Sequence, residues 1–235
     1  MDIKLFYTDN GCENGKAPLI LLHGNGGNAS SFFYVVDHFA KTRRVITIDT
    51  RGHGRSPKGE GEFTLKRFAR DVYEFTREMK IEKAVIVGYS DGGNIAMIFA
   101  SEHPEMVEAL VLNGANMFPT GLCDKDLKSI TAAYKKAKKA HRRSPNNSHI
   151  KDELDLLTLM VKEPNLTAAD LAKIPAPSLV LVGSHDAIKL SHTEYIASCL
   201  PVSRLKIVEG GHNIVKSNSA DYIAALDEFF SEFDV

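Results

Sequence analysis

Tryptophan is absent from the chain, and cysteine is both scarce and odd in number, at positions 12, 123 and 199. Three widely spaced thiols make neither a disulfide framework nor a zinc ligand set. None lies in an activating motif, so Cys12, Cys123 and Cys199 read as small buried or half-exposed residues. No window approaches 18 consecutive apolar residues, which excludes a helical membrane span. The opening MDIKLFYTDN lacks the apolar stretch of a signal peptide, so a cytoplasmic setting is expected. An excess of one charge is missing too. There are 29 Lys and Arg against 30 Asp and Glu, so no global field draws the chain toward nucleic acid or an acidic membrane. The nine histidines show no H-E-x-x-H or similar ligand spacing. No metal and no cofactor are expected.

What is present is an alternation of strands and helices. Pro18–Leu22, Val45–Ile48, Ala84–Val87, Leu110–Leu112, Leu179–Val182 and Leu205–Val208 are continuous apolar runs. Such runs suit strands covered by helices on both faces. Ile3–Tyr7 alternates better and reads as an antiparallel edge strand. Between the runs lie helical patterns. Over Thr64–Lys80, Leu65, Phe68, Ala69, Val72, Phe75 and Met79 share one face, with Thr64 placed as an N-cap. Gly92–Ser101 and Asp221–Phe230 also read as helices. The expected class is α/β, with a mostly parallel central sheet and helices on both faces.

The alternation breaks from 116 to 170. Leu127, Ile130, Tyr134 and Ala137 repeat at helical spacing, as do Ile150, Leu154, Leu157 and Val161, with a turn at Ser144-Pro145-Asn146-Asn147. An all-helical insertion of this kind reads as a small cap, leaving residues 1–115 and 171–235 as the core.

The chemistry concentrates where strands end. Gly88-Tyr89-Ser90-Asp91-Gly92 follows one strand and opens a helix, the context a G-x-S-x-G nucleophile elbow requires. The glycines permit a turn so sharp that the hydroxyl of Ser90 stands above the sheet, beside the free N–H groups of a helix N-terminus. A serine hydroxyl needs a base to take its proton. His212, after Gly210-Gly211 and the last strand, is the candidate. Asp186, after the strand at Leu179–Val182, is the carboxylate that would hold the imidazole in one tautomer. The order Ser90, Asp186, His212 matches the order of this fold.

With Leu21-Leu22-His23-Gly24-Asn25-Gly26-Gly27 and Asp49-Thr50-Arg51-Gly52-His53-Gly54-Arg55-Ser56 added, the chain resembles the α/β-hydrolase superfamily from end to end. The resemblance implies a serine hydrolase with an acyl-enzyme mechanism, acting on a small-molecule ester. It implies that the backbone N–H groups of Asn25 and Asp91 form an oxyanion hole, and that the Asp49–Ser56 segment is structural. The chain departs from the family in a shortened N-terminal strand pair and a small cap. Asn113 also occupies the place where some members carry the acid.

Other readings compete. Gly24-x-Gly26-x-x-Ala29 with Asp49 about 20 residues on matches a dinucleotide-binding fingerprint. A non-catalytic ligand receptor, carbon–carbon bond hydrolysis or acyl transfer could use the same frame. Phe32, Phe33, Met117, Phe118, Ile188 and Ile214 flank the loops, as an acyl pocket or as ordinary core. Lys135, Lys136, Lys138, Lys139, Arg142 and Arg143 form a basic run, read as a solvated face or as attraction for an anionic substrate or an acidic partner. Asp91 either serves the helix dipole or selects substrates with a cation near the carbonyl, such as α-amino esters.

Overall fold

The computed structural model describes residues 2–235, whose strands form a seven-stranded sheet. The first half of the chain contains β1 (Tyr7–Asn10), β2 (Leu19–Leu22), α1 (Phe33–Phe39), β3 (Val45–Ile48), α2 (Leu65–Glu78), β4 (Ala84–Tyr89), α3 (Asp91–Glu102) and β5 (Val107–Asn113). Between β5 and the next strand lie α4 (Asp124–Arg143), α5 (Ser148–Lys162) and the single turn α6 (Ala168–Leu171). The chain closes with β6 (Ser178–Gly183), α7 (Leu190–Cys199), β7 (Ser203–Val208), α8 (Ile214–Ser217) and α9 (Ser219–Glu232). The strand order is β1-β3-β2-β4-β5-β6-β7. Only the β1–β3 pairing is antiparallel.

β-Branched and Leu-rich runs fill the central strands because both sheet faces are covered. On one face α2 and α3 bury Phe68, Val72, Phe75 and Phe99 against Ile20, Ile46 and Ile86. On the other, α1 and α9 bury Val35, Tyr222, Leu226 and Phe229 against Leu19, Val85 and Val111. The α2 start follows capping logic: the Thr64 hydroxyl accepts from the N–H of Arg67 at 3.1 Å.

Two expectations at the sheet edges change. The antiparallel edge strand is Tyr7–Asn10, not Ile3–Tyr7. The alternation of Ile3 and Leu5 reflects burial in the core instead. That segment is anchored by side chains: the Ser56 hydroxyl accepts from the Phe6 N–H, and Asp2 pairs with Arg51. At the far edge, most of β7 is exposed, with Val208 alone of its residues buried. Leu205 and Ile207 are 38% and 49% exposed, because β7 ends the sheet and no further strand follows it.

Arg51 is the largest fully buried side chain. Its guanidinium forks onto Asp71 at 2.6 and 2.8 Å and reaches Asp2 at 2.6 Å. The pair ties the loop after β3 to α2. Removing one partner strands a charge in the interior. Asp71→Ala should therefore lower the unfolding free energy by about 3 kcal/mol. Urea denaturation checks this; a midpoint equal to that of the parent would contradict it.

Candidate active site

Parallel strands bring their carboxyl ends to one edge, and the loops after β2, β4, β5, β6 and β7 meet there. After β4 the chain reverses through Ser90, whose φ of 54° is rare for a residue with a side chain. Strain of this kind persists only when the surroundings impose it. Here they do. A Cβ at Gly88 would strike the backbone of Gly92 and Gly93, and one at Gly92 would strike the carbonyls of Leu22 and His23. Ser90 is further pinned by its N–H, which donates to the Asn113 carbonyl at 2.8 Å.

The structure brings Ser90, His212 and Asp186 into one hydrogen-bonded line. His212 Nδ1 lies 2.7 Å from Asp186 Oδ1, and its Nε2 lies 2.9 Å from Ser90 Oγ. A carboxylate only accepts, so Nδ1 carries the proton and Nε2 is left to accept from the serine hydroxyl. Asp186 is itself fixed by N–H donors, Ile188 at 2.9 Å and Gly183 at 3.2 Å. Burial pushes its carboxyl pKa upward. The hydrogen bond and charge of His212, together with the two N–H groups, outweigh burial and hold it below the usual value. Gly114, just past β5, lies against the imidazole: a Cβ there would sit 2.9 Å from His212 Nδ1 and Cε1. Asn113 is fully buried, and its side-chain amide has no hydrogen-bond partner among the described residues.

Beside Ser90, the N–H groups of Asn25 and Asp91 donate to no partner among the described residues. Asp91 opens α3, so its N–H has no intrahelical acceptor. The Asp91 carboxylate is tied by amides. Asn25 Nδ2 donates to Oδ2 at 2.8 Å, and Asn94 Nδ2 donates to Oδ1 at 3.1 Å. Burial raises the Asp91 pKa, with Asn25, His53, His212 and Asn94 opposing it only in part. Asn25 Nδ2 also lies 3.2 Å from the Leu156 carbonyl of α5, so the helical insertion touches this loop directly.

Asp49 accepts from the N–H groups of Ala29 at 2.6 Å and Arg55 at 2.9 Å, which makes it a brace between two loops. That occupancy removes the acidic group a dinucleotide ribose would need. The glycine loop also leads into α1 through the 3-10 turn Ala29–Phe32 rather than opening an α-helix directly. The apolar residues that the sequence left between acyl pocket and core fall in different places. Phe32 and Ile214 belong to the core under one sheet face, and Met117 to the core under the other. Ile188 is likewise buried, and its part here is the N–H on Asp186. Phe33 is 67% exposed, in a groove with Phe6, Val36 and Arg55 along β1 and away from Ser90. Phe118 is half-buried edge-on against the His192 ring.

Residues that sequence reasoning passed over hold the loops in place. His23 accepts from the Thr50 N–H at 3.0 Å through Nε2 and donates to the Gly24 carbonyl at 2.8 Å through Nδ1. His192 Nε2 accepts from the Met117 N–H at 3.0 Å. Asn94 Oδ1 accepts from the Asn116 N–H at 2.8 Å. A lone His or Asn in a sequence carries no signal for such a role.

The alpha/beta hydrolase fold model matches residues 17–136. The chain belongs to that family. It is 25% identical to a Haemophilus influenzae protein described as an esterase/lipase, over 91% of this chain and 83% of that one. It is 24% identical to a proline iminopeptidase of Lactobacillus helveticus, over 100% of this chain and 96% of that one. Other curated relatives match locally at 33–36% identity, and the chain spans about a third of their length. The fold superposes on a thermophilic esterase from Thermogutta terrifontis with a TM-score of 0.80 at 21% identity, covering 99% of this chain and 95% of that one. This hydrolase is thus esterase/lipase-like in its relatives. Its described helices include none long and apolar enough to cross a membrane.

The buried histidines give the loop frame a pH limit. Burial lowers the pKa of both His23 and His192 from 6.5 to about 4. Between those values the unfolded chain binds protons that the folded chain refuses. Stability is therefore fully present above pH 6.5 and falls as pH drops toward 4, by roughly 3 kcal/mol per histidine. His192→Gln keeps an acceptor for the Met117 N–H but cannot titrate. Urea unfolding at pH 7.5, 5.5 and 4.5 should show a shallower loss for the variant than for the parent. Parallel losses would refute the assignment.

Proposed function

We propose that this chain hydrolyses carboxylic esters of small molecules through an acyl-enzyme on Ser90. The observation that carries this reading is the line Ser90–His212–Asp186 beside two unpartnered N–H groups. Ser90 Oγ attacks the ester carbonyl while its proton moves to His212 Nε2. The negative oxygen that forms is met by the N–H groups of Asn25 and Asp91, already aimed and needing no reorganisation. Asp186 keeps Nδ1 protonated and stabilises the imidazolium, as its depressed pKa requires. The carbon–oxygen bond to the leaving group breaks as Nε2 returns the proton, releasing an alcohol. Water then gives a proton to Nε2 and its oxygen to the acyl carbon. Collapse frees the carboxylic acid and restores the serine. No step calls on a metal or a cofactor, and residues 116–170 act as a cap over the 1–115 and 171–235 core.

A fluorophosphonate probe should label Ser90, and Ser90→Ala should abolish labelling and lower turnover by about 10³-fold or more. Asp186→Asn should cost on the order of 10³-fold in turnover with the fold intact, because the amide would stabilise the wrong tautomer. Asp49→Asn should instead act on stability. A folded Asp49→Asn protein with crippled turnover, alongside an active Asp186→Asn protein, would overturn the role assignment.

Asp91 supports a second, narrower reading: a preference for α-amino esters. Its carboxylate neighbours the nucleophile, is bound by neutral amides alone, and has its pKa raised by burial. A substrate ammonium group beside the reacting carbonyl would supply the missing counter-charge. The relative that bears the name proline iminopeptidase is in keeping with this. An α-amino ester should exceed its matched neutral ester in kcat/KM by roughly 10- to 100-fold, the worth of a charge-assisted hydrogen bond. Asp91→Asn should shrink that ratio without harming the neutral ester. An equal loss on both esters would return Asp91 to a purely structural part.

A further inference from the structure

The outer face of α4 is a row of cations without counter-ions. Lys135, Lys136, Lys138, Lys139, Arg142 and Arg143 are all exposed, and none forms an ion pair among the described residues. Lys125 and Lys128, exposed in the same helix, extend the row toward its start. At 3.6 residues per turn these positions share an arc of about 160°, opposite buried Ala137. Among the described residues, isolated cations without an ion pair also occur elsewhere, at Lys4, Lys80, Lys162 and Lys216, but other surface lysines are compensated. Lys41, Lys66, Lys83 and Lys206 each face a carboxylate, on Asp37, Glu102, Glu108 and Glu228.

Helix electrostatics account for only part of the row. Cations in the last turn complement the helix dipole, which covers Arg142 and Arg143. The lysines at 135 to 139 lie farther from the terminus. There, like charges three and four residues apart repel and weaken the helix. The chain as a whole has a net charge of −1, so this positive face stands on a molecule that is otherwise net acidic.

The face carries none of the exposed large apolar side chains of the described residues, which lie on other elements. It offers no exposed aromatic ring on which a base could stack. A row of cations spread along a helix matches extended negative charge rather than a discrete ligand. We propose that the outer face of α4 docks on the surface of an anionic phospholipid bilayer, by charge and without insertion. Docking there would hold α4 and its neighbour α5 against the lipid headgroups, and α5 reaches the Asn25 loop through the Leu156 carbonyl. The proposal concerns binding alone and stands apart from the chemistry at Ser90.

The test is co-sedimentation of the intact protein with vesicles of phosphatidylcholine carrying 30 mol% phosphatidylserine, a composition chosen at roughly the anionic level of a charged leaflet. Binding should appear on these vesicles, be absent on pure phosphatidylcholine, and vanish at about 0.5 M salt. Each cation near the surface contributes about fivefold. Changing Lys135, Lys136, Lys139 and Arg142 together to Gln should therefore weaken partitioning by about two orders of magnitude or more. Changing Lys135, Lys136 and Lys139 to Arg should leave it intact, which separates lost charge from a damaged helix. The variant with Lys41, Lys66, Lys83 and Lys206 changed to Gln carries the same charge deficit and should bind as the parent does. The proposal is overturned by equal binding to both vesicle types, or by an equal loss in the two Gln variants. It is also overturned if duplex DNA or RNA at equal phosphate concentration strips the protein from the vesicles, which would reassign the face to nucleic acid.

Discussion

A side chain of any size at Gly92 would run into the carbonyls of Leu22 and His23, and that close approach sets the spacing of the whole Ser90 edge. β2 and β4 are parallel neighbours in the register Leu22↔Gly88. Their loops therefore leave the sheet side by side, and the first turn of α3 rests on the end of β2. A bulkier contact would move Ser90 away from the Asn25 loop. The positive φ of Ser90 is the backbone cost of fitting a strand-to-helix reversal into that space. The N–H groups of Asn25 and Asp91, on the two loops that meet here, donate to no partner among the described residues.

The loops around this edge are held by neutral polar groups more than by charge. His23, His192, Asn94 and Asn25 each satisfy a buried backbone or carboxylate atom. An ammonium or guanidinium could donate but could not accept from the N–H groups of Thr50 and Met117. A neutral imidazole does so, and desolvation keeps it neutral. Among the described residues, the ion pair with both side chains fully buried is Arg51 with Asp71, and Arg51 also anchors the N-terminal segment through Asp2.

The sheet was legible because both-sided burial writes itself as continuous apolar runs. Val45–Ile48 is a strand with the bounds its composition suggests. Thr64 caps α2 because its hydroxyl is where the apolar period begins. The candidate site was legible for a different reason: Ser90, Asp186 and His212 each follow a strand, and parallel strands bring such positions to one edge. What the sequence left open or misplaced shares a cause. Ile3, Phe32, Met117 and Ile214 are apolar residues whose partners come from distant segments, and periodicity carries no information about which cluster they join. In β7, Leu205 and Ile207 are apolar but alternate with Arg204 and Lys206, and the strand lies where the sheet ends. His23 and His192 act through hydrogen bonds that span 27 and 75 residues of chain, beyond any local pattern.

The helical insertion divides its attachments unequally. α5 and the residue after it make several polar contacts with the core. The Leu156 carbonyl meets Asn25, Asp152 and Asp155 pair with Lys58, and Glu163 accepts from the Leu65 N–H. α4 is tied to the core at its beginning, where Asp124 pairs with Lys189 and the Cys123 N–H meets the Ala187 carbonyl. Beyond that start its main neighbour is α5. The acids of α5 at 152 and 155 are engaged by Lys58 and Lys151, so they are not left to neutralise the cations of α4. Charge in the insertion is thus sorted by distance from the sheet. Ion pairs lie where α5 meets the core, and uncompensated positive charge lies on the helix that the core holds least.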